Sequence, residues 1–94
     1  MNKYESIIIV NPEVDAEGLK ALEEKFTGLI NENGKVEKVE NMGKKKLAYE
    51  IKKFNTGYYY LFVVEASKEA EQEFNRVARI NENLLRHLIV KVEE

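Results

Sequence analysis

The chain has 94 residues, of which 44% are hydrophobic, 10% aromatic and 34% charged, with a formal net charge of −2. That supplies one small core and a heavily ionised surface, so residues 1–94 are read as one soluble globular domain and not as a disordered chain. The sequence has no cysteine, which excludes disulfides and thiolate metal sites. The opening apolar run, Ile7 to Val10, is too short for a signal-peptide core or a membrane span, so a cytoplasmic protein with no membrane contact is expected.

Lys3 to Val10 reads as a strand, with Ile7, Ile8, Ile9 and Val10 consecutive and β-branched. A continuous apolar run of that length suits a central strand covered on both faces. Asn11-Pro12 stops it. Asp15 is a plausible N-cap for a helix whose inner stripe is Leu19, Leu22, Phe26, Leu29 and Ile30, at helical spacing. Asn33-Gly34 carries a left-handed C-cap signal. Lys35 to Lys53 is extended but irregular. Val36 and Val39 stand three apart, so a bulge or bend near Asn41-Met42-Gly43 is expected to restore register before Leu47, Tyr49 and Ile51. Asn55-Thr56-Gly57 reads as a turn into a Tyr58–Ala66 strand. Ser67 can cap a second helix with Ala70, Phe74, Val77 and Ala78 inward. Asn81-Glu82-Asn83 ends it, and Leu84 to Val92 is a last strand.

The order strand, helix, strand, strand, helix, strand is the split βαβ, or ferredoxin-like, α+β arrangement. Right-handed crossovers put both helices on one face of a four-stranded antiparallel sheet. The other face is then bare, yet neither parity of Tyr58–Glu65 is polar enough for a freely solvated sheet. Ile7, Ile9, Tyr59, Leu61, Val63 and Leu88 are assigned to an apolar patch away from the helices, the kind of surface that marks a partner. Residual apolar exposure on a small domain is the alternative.

Charge is unevenly spread. Residues 13–32 hold six acids against two lysines, a net −4, while residues 41–53 hold five lysines against Glu50, a net +4. Lys44, Lys45 and Lys46 are the best candidates for phosphate contact, since ammonium groups gain affinity through counterion release without reading sequence. Lysines also blunt edge strands, which is the competing explanation. Lys3, Arg79, Arg86 and Lys91 are weaker candidates. The tyrosines could stack on bases, although Tyr59 stands where an RNA-recognition-motif strand has a small residue. His87 is the sole histidine, so no histidine-type metal cluster forms. No phosphate loop, nucleophile elbow or paired-histidine motif is present, and nothing converges on catalysis, a cofactor or a small-molecule substrate.

The run Gly43-Lys44-Lys45-Lys46-Leu47-Ala48-Tyr49-Glu50-Ile51-Lys52 resembles the signature of the bacterial ribosomal small-subunit protein six family. Tyr4-Glu5, the apolar run and Asn11-Pro12 resemble that family's opening. Arg79-Ile80-Asn81-Glu82-Asn83 followed by Leu84-Leu85-Arg86-His87-Leu88-Ile89-Val90-Lys91 resembles its close. The resemblance implies a non-enzymatic structural protein of the small ribosomal subunit. Such a protein binds central-domain rRNA as a heterodimer with small-subunit protein eighteen. It moves the lysine cluster toward RNA contact. An independent single-strand RNA-binding module, or a dimeric metabolite-sensing domain of the same topology, is the alternative.

Overall fold

The computed structural model describes residues 2–32 and 34–92. Its elements are β1 (Asn2–Val10), α1 (Ala16–Asn31), β2 (Gly34–Ile51), β3 (Phe54–Ala66), α2 (Lys68–Ile80) and β4 (Leu84–Val92). The strands form one four-stranded sheet in the order β2-β3-β1-β4, with every neighbouring pair antiparallel. Each helical connection steps over one strand: α1 carries the chain from β1 past β3, and α2 carries it from β3 past β1. This is the expected split βαβ arrangement, with β1 and its isoleucines in the sheet interior.

Local chemistry starts both helices where the sequence indicates. The Asp15 carboxylate accepts from the Gly18 backbone N–H at 2.8 Å, and the Ser67 hydroxyl accepts from the Ala70 N–H at 3.2 Å. Each satisfies a donor that the first turn leaves orphaned. Before α1, the Asn11 side chain accepts from the Glu13 N–H at 2.8 Å, which fixes the turn around Pro12. At the other end of α1 the expected cap falls on Asn33, which lies outside the described residues, and Gly34 already pairs with Ala66 in β3.

The main core lies between the helices and the sheet. Leu19, Leu22, Phe26 and Ile30 of α1 are buried, as are Ala70, Phe74, Val77 and Ala78 of α2. They meet Tyr4, Ile8 and Val10 of β1 and Tyr60, Phe62, Val64 and Ala66 of β3. Three phenylalanines join the layers: Phe26 and Phe74 have centroids 4.8 Å apart, and Phe62 packs edge-on to Phe74 at 5.8 Å. Such pairs contribute about 0.5–1.5 kcal/mol beyond area burial. Ser6 sits in the same layer, 1% exposed, and among the described residues its hydroxyl has no hydrogen-bond partner.

The β2–β3 hairpin departs from the sequence reading. Asn55-Thr56-Gly57 is strand, not turn. The reversal is made by Lys52 and Lys53, with φ of 49° and 71°, closed by the Ile51–Phe54 pair. Two consecutive residues at positive φ are the pattern of a type I′ hairpin turn, usually filled by Asn-Gly. Gly57 is required for a different reason than a turn. A Cβ there would lie 2.6 Å from Cγ2 of Ile9 and 3.1 Å from the Val10 carbonyl oxygen. The expected bulge at Asn41/Gly43 is present, with Gly43 at φ 84°. A separate bulge between Val36 and Lys38 explains the spacing of Val36 and Val39, which both still pack on the helix side.

Between Lys46 and Ile51 the register slips again, and the end of the hairpin folds over the helix-free face. Leu47, Ile51 and Phe54 close there on Ile9, Leu85 and Tyr59, making a second, smaller apolar cluster.

Candidate protein and nucleic-acid interface

Strand register decides what the helix-free face presents. Ile7 pairs with Leu61 on one side and Leu88 on the other, giving an apolar row across β3, β1 and β4. Glu5 is flanked in the same way by Val63 and Val90. Ile9 is flanked by Tyr59 and Arg86. All six residues assigned to the patch (Ile7, Ile9, Tyr59, Leu61, Val63 and Leu88) therefore lie on the side away from the helices.

They are not equally available. Leu88 is 57% exposed and Val90 46%, while Ile7, Leu61, Val63 and Tyr59 are half-buried. Ile9 must be corrected: it is only 9% exposed, because Leu47 and Leu85 cover it. Strict alternation along β4 also fails. A bulge opposite Ile9/Val10 leaves Leu85 as an extra residue, so Leu85 and Arg86 both reach the helix-free side. Val90, Glu5 and Tyr49 belong to this surface and were missed. The parity of β4 carries Val90 with Leu88, and that of β1 carries Glu5 with Ile7, but Tyr49 depends on the hairpin's fold-over.

The basic candidates do not form one cluster. Lys44, Lys45 and Lys46 lie on β2, the edge strand, opposite Tyr58, Gly57 and Thr56. All three are exposed, and among the described residues none is in an ion pair. The Lys44 ammonium stands 5.6 Å from the Tyr58 ring centroid and that of Lys45 stands 5.9 Å from Tyr59. Alternate lysines thus serve alternate faces, and Lys45 caps a residue of the apolar surface. Arg86 shares this end of the sheet, where its guanidinium donates to the Tyr49 hydroxyl and lies 5.8 Å from that ring's centroid.

Lys3 and Lys91 belong to the opposite end of β1, where Lys3 pairs with Val92 and Tyr4 with Lys91. Lys3 is held by Glu37 at 3.2 Å. Arg79 is in the last turn of α2, on the helix side, near His87. The Nε2–H of His87 donates to Oδ1 of Asn75. Burial first, and the neighbouring Arg79 charge second, lower the His87 pKa below its ordinary value. His87 therefore belongs to the α2–β4 seam and not to the exposed face.

Among the described residues no three His, Asp or Glu side chains gather as a metal site, and no helix is long and apolar enough to cross a membrane. The Ribosomal protein S6 family model matches residues 3–91. The chain belongs to that family. It is 50% identical to the small ribosomal subunit protein bS6 of Clostridium kluyveri and 50% identical to that of Clostridium perfringens. It is 47% identical to the protein of Halalkalibacterium halodurans, and each of these three matches covers 100% of both chains. The fold matches the crystal structure of 30S ribosomal protein S6 from Thermotoga maritima with a TM-score of 0.91 and 35% identity, covering 97% of this chain and 87% of that one. Ribosomal protein S6 is a structural, non-enzymatic component of the bacterial small ribosomal subunit, which assigns this member to translation and to the ribosome.

Proposed function

We propose that this S6-family chain binds small-subunit rRNA of the central domain jointly with small-subunit protein eighteen. In this reading the helix-free face receives the protein, and Lys44, Lys45 and Lys46 hold phosphates. The observation that carries it is the separation of the two chemistries. The Leu61–Ile7–Leu88 row and its neighbours Val63 and Val90 are apolar across three adjoining strands, while Lys44, Lys45 and Lys46, in no ion pair among the described residues, lie on the β2 edge. Apolar surface of this kind suits a protein, and exposed ammonium groups suit a phosphate backbone. Arg86 borders the apolar face on β4, the opposite edge of the sheet from the lysines, where it holds Tyr49. Lys3, Arg79 and Lys91 are secondary, because they sit at the far end of β1 or on the helix side.

The lone RNA-binding module is less well supported. Stacking two or three bases needs aromatic rings on one open face. Here Tyr60 is buried among the helices and Tyr58 packs against the main core, so of the three consecutive tyrosines only Tyr59 is on the open side, while Tyr49, also on that surface, is engaged by Arg86.

The test is binding of a central-domain rRNA fragment, with and without protein eighteen, over a range of salt. Changing Lys44, Lys45 and Lys46 to glutamine should reduce the slope of log affinity against log salt by about 2–3. An unchanged slope would reject the phosphate contact. Leu88→Asp should spare folding and abolish heterodimer formation. Wild-type affinity for protein eighteen in that variant would reject the docking face.

A further inference from the structure

Among the described residues Glu5 is the carboxylate at the centre of the helix-free face, with Glu40, beside Leu61, and Glu65, beside Lys3, nearer its borders. Glu5 is exposed, with Val63 and Val90 as its cross-strand neighbours and Ile7 two residues along the same strand. The lysines nearest to it on that face are already engaged. Lys3 is paired with Glu37 at 3.2 Å, and Lys38, opposite Val63, is paired with Glu40 at 3.3 Å. Among the described residues no ion pair or hydrogen bond holds the Glu5 carboxylate. In the free protein, water solvates it.

Any occupant that covers Leu61, Ile7 and Leu88 also strips that water. An unpaired carboxylate taken out of water opposes association, whereas one matched by a hydrogen-bonded cation favours it. The carboxylate repels phosphate, so RNA is a poor occupant of this part of the surface. A second copy stacked about a two-fold axis through Glu5 would bring two carboxylates together. In another register a second copy could offer Arg86, but Arg86 is occupied by Tyr49.

We infer that Glu5 selects the protein that docks on the helix-free face, by requiring that partner to place an arginine or lysine against it from within an apolar surface. The inference rests on the reading that protein eighteen docks there, and it assigns the determinant of that interface to one residue. Its chemistry also makes a sign prediction. If the partner supplies the cation, replacing Glu5 by the isosteric glutamine removes a charge-assisted pair and weakens binding. If it does not, the same change removes an unmatched carboxylate, and binding is unchanged or tighter.

The experiment is calorimetric titration of the full chain with protein eighteen from the same organism, for the wild type and for Glu5→Gln, Glu5→Lys and Leu88→Asp. Circular dichroism melts check the fold of each. The expected result is a loss of roughly 10-fold or more for Glu5→Gln and a larger loss for Glu5→Lys. Reversing the partner's basic residue to glutamate should restore part of the affinity of Glu5→Lys. Equal or tighter binding of Glu5→Gln overturns the inference. If Leu88→Asp abolishes binding at the same time, the docking face stands and only the charge selection fails. If Leu88→Asp also binds normally, the face itself is wrong. Self-association of the wild type in sedimentation, competing with protein eighteen and lost in Leu88→Asp, would make a second copy the occupant and also overturn it.

Discussion

Lys52 and Lys53 occupy a turn that their side chains disfavour, and this can be measured. Both hold positive φ, 49° and 71°, where a Cβ crowds the backbone at about 1–2 kcal/mol per residue. Replacing Lys53 by glycine relieves that, less about 0.5–1 kcal/mol for the greater chain freedom that glycine loses on folding. Replacing Lys52 by asparagine relieves part of the other term. We expect Lys52→Asn with Lys53→Gly to stabilise the chain by about 1 kcal/mol. For a domain this size that is a rise in Tm of about 4–8 °C. The change also removes two adjacent positive charges, so the melt should be repeated at about 0.5 M salt, where exposed charges are screened. A gain that survives salt is backbone relief. A gain that vanishes, or a lower Tm, would refute the reasoning. If the hairpin end opens independently of the rest, the gain will appear as slower amide exchange across residues 47–54, and not in the global melt.

Ser6→Ala should stabilise the protein by about 1 kcal/mol in urea unfolding, because the buried hydroxyl has no partner among the described residues. A loss of stability would mean that the hydroxyl is satisfied. His87 has a folded pKa below its unfolded value, so the unfolded chain binds more protons between the two values. Stability should therefore fall as pH drops from about 7 through 6.5 and below, and His87→Gln should remove that increment. Parallel pH profiles for the two proteins would contradict it. Gly57→Ala should destabilise by roughly 2 kcal/mol, since its Cβ meets Ile9 and a backbone oxygen; a neutral result would show that β1 yields there.

The elements themselves were legible because each signal was local. Asp15 and Ser67 supply caps, Asn11-Pro12 ends β1, and the helical stripes meet the sheet at three phenylalanines. The hairpin was misread because turn chemistry and turn position diverge. Asn55-Thr56-Gly57 has the composition of a turn, but Gly57 is there to let β1 pass close by. Lys52-Lys53 has no turn composition at all. The side of the sheet on which Ile7, Leu61, Val63 and Leu88 lie follows from parity. Exposure does not, since Ile9 is covered by Leu47 and Leu85, distant in sequence, through a register slip and a bulge. The Lys3–Glu37 pair is hidden for the same reason. The Lys38–Glu40 pair, two residues apart on β2, is by contrast a local pattern that the sequence does carry.

The dimensions of the two surfaces favour joint action over independent binding. The sheet is four strands wide, and about six residues of each contribute to the open part. At ~4.8 Å per strand and ~3.3 Å per residue, that is on the order of 400 Å² in projection. A standard stable interface takes roughly 800 Å² of accessible surface from each partner, and a side-chain surface exposes more than its projection, so this face sits at the small end of that range. The three lysines of the β2 edge, if they hold phosphates as proposed, would contribute a salt slope of only about 2–3, which is weak binding at physiological ionic strength. In the proposed assembly each surface alone would therefore bind modestly, within reach of a titration but short of the affinity of the joint complex. Yet Lys45 stands over Tyr59, where the lysine edge and the apolar face adjoin, so a partner seated on the face would extend beside any phosphates held as proposed by the lysines. Binding the second component then occurs within an assembled complex, without a second full loss of translational and rotational freedom.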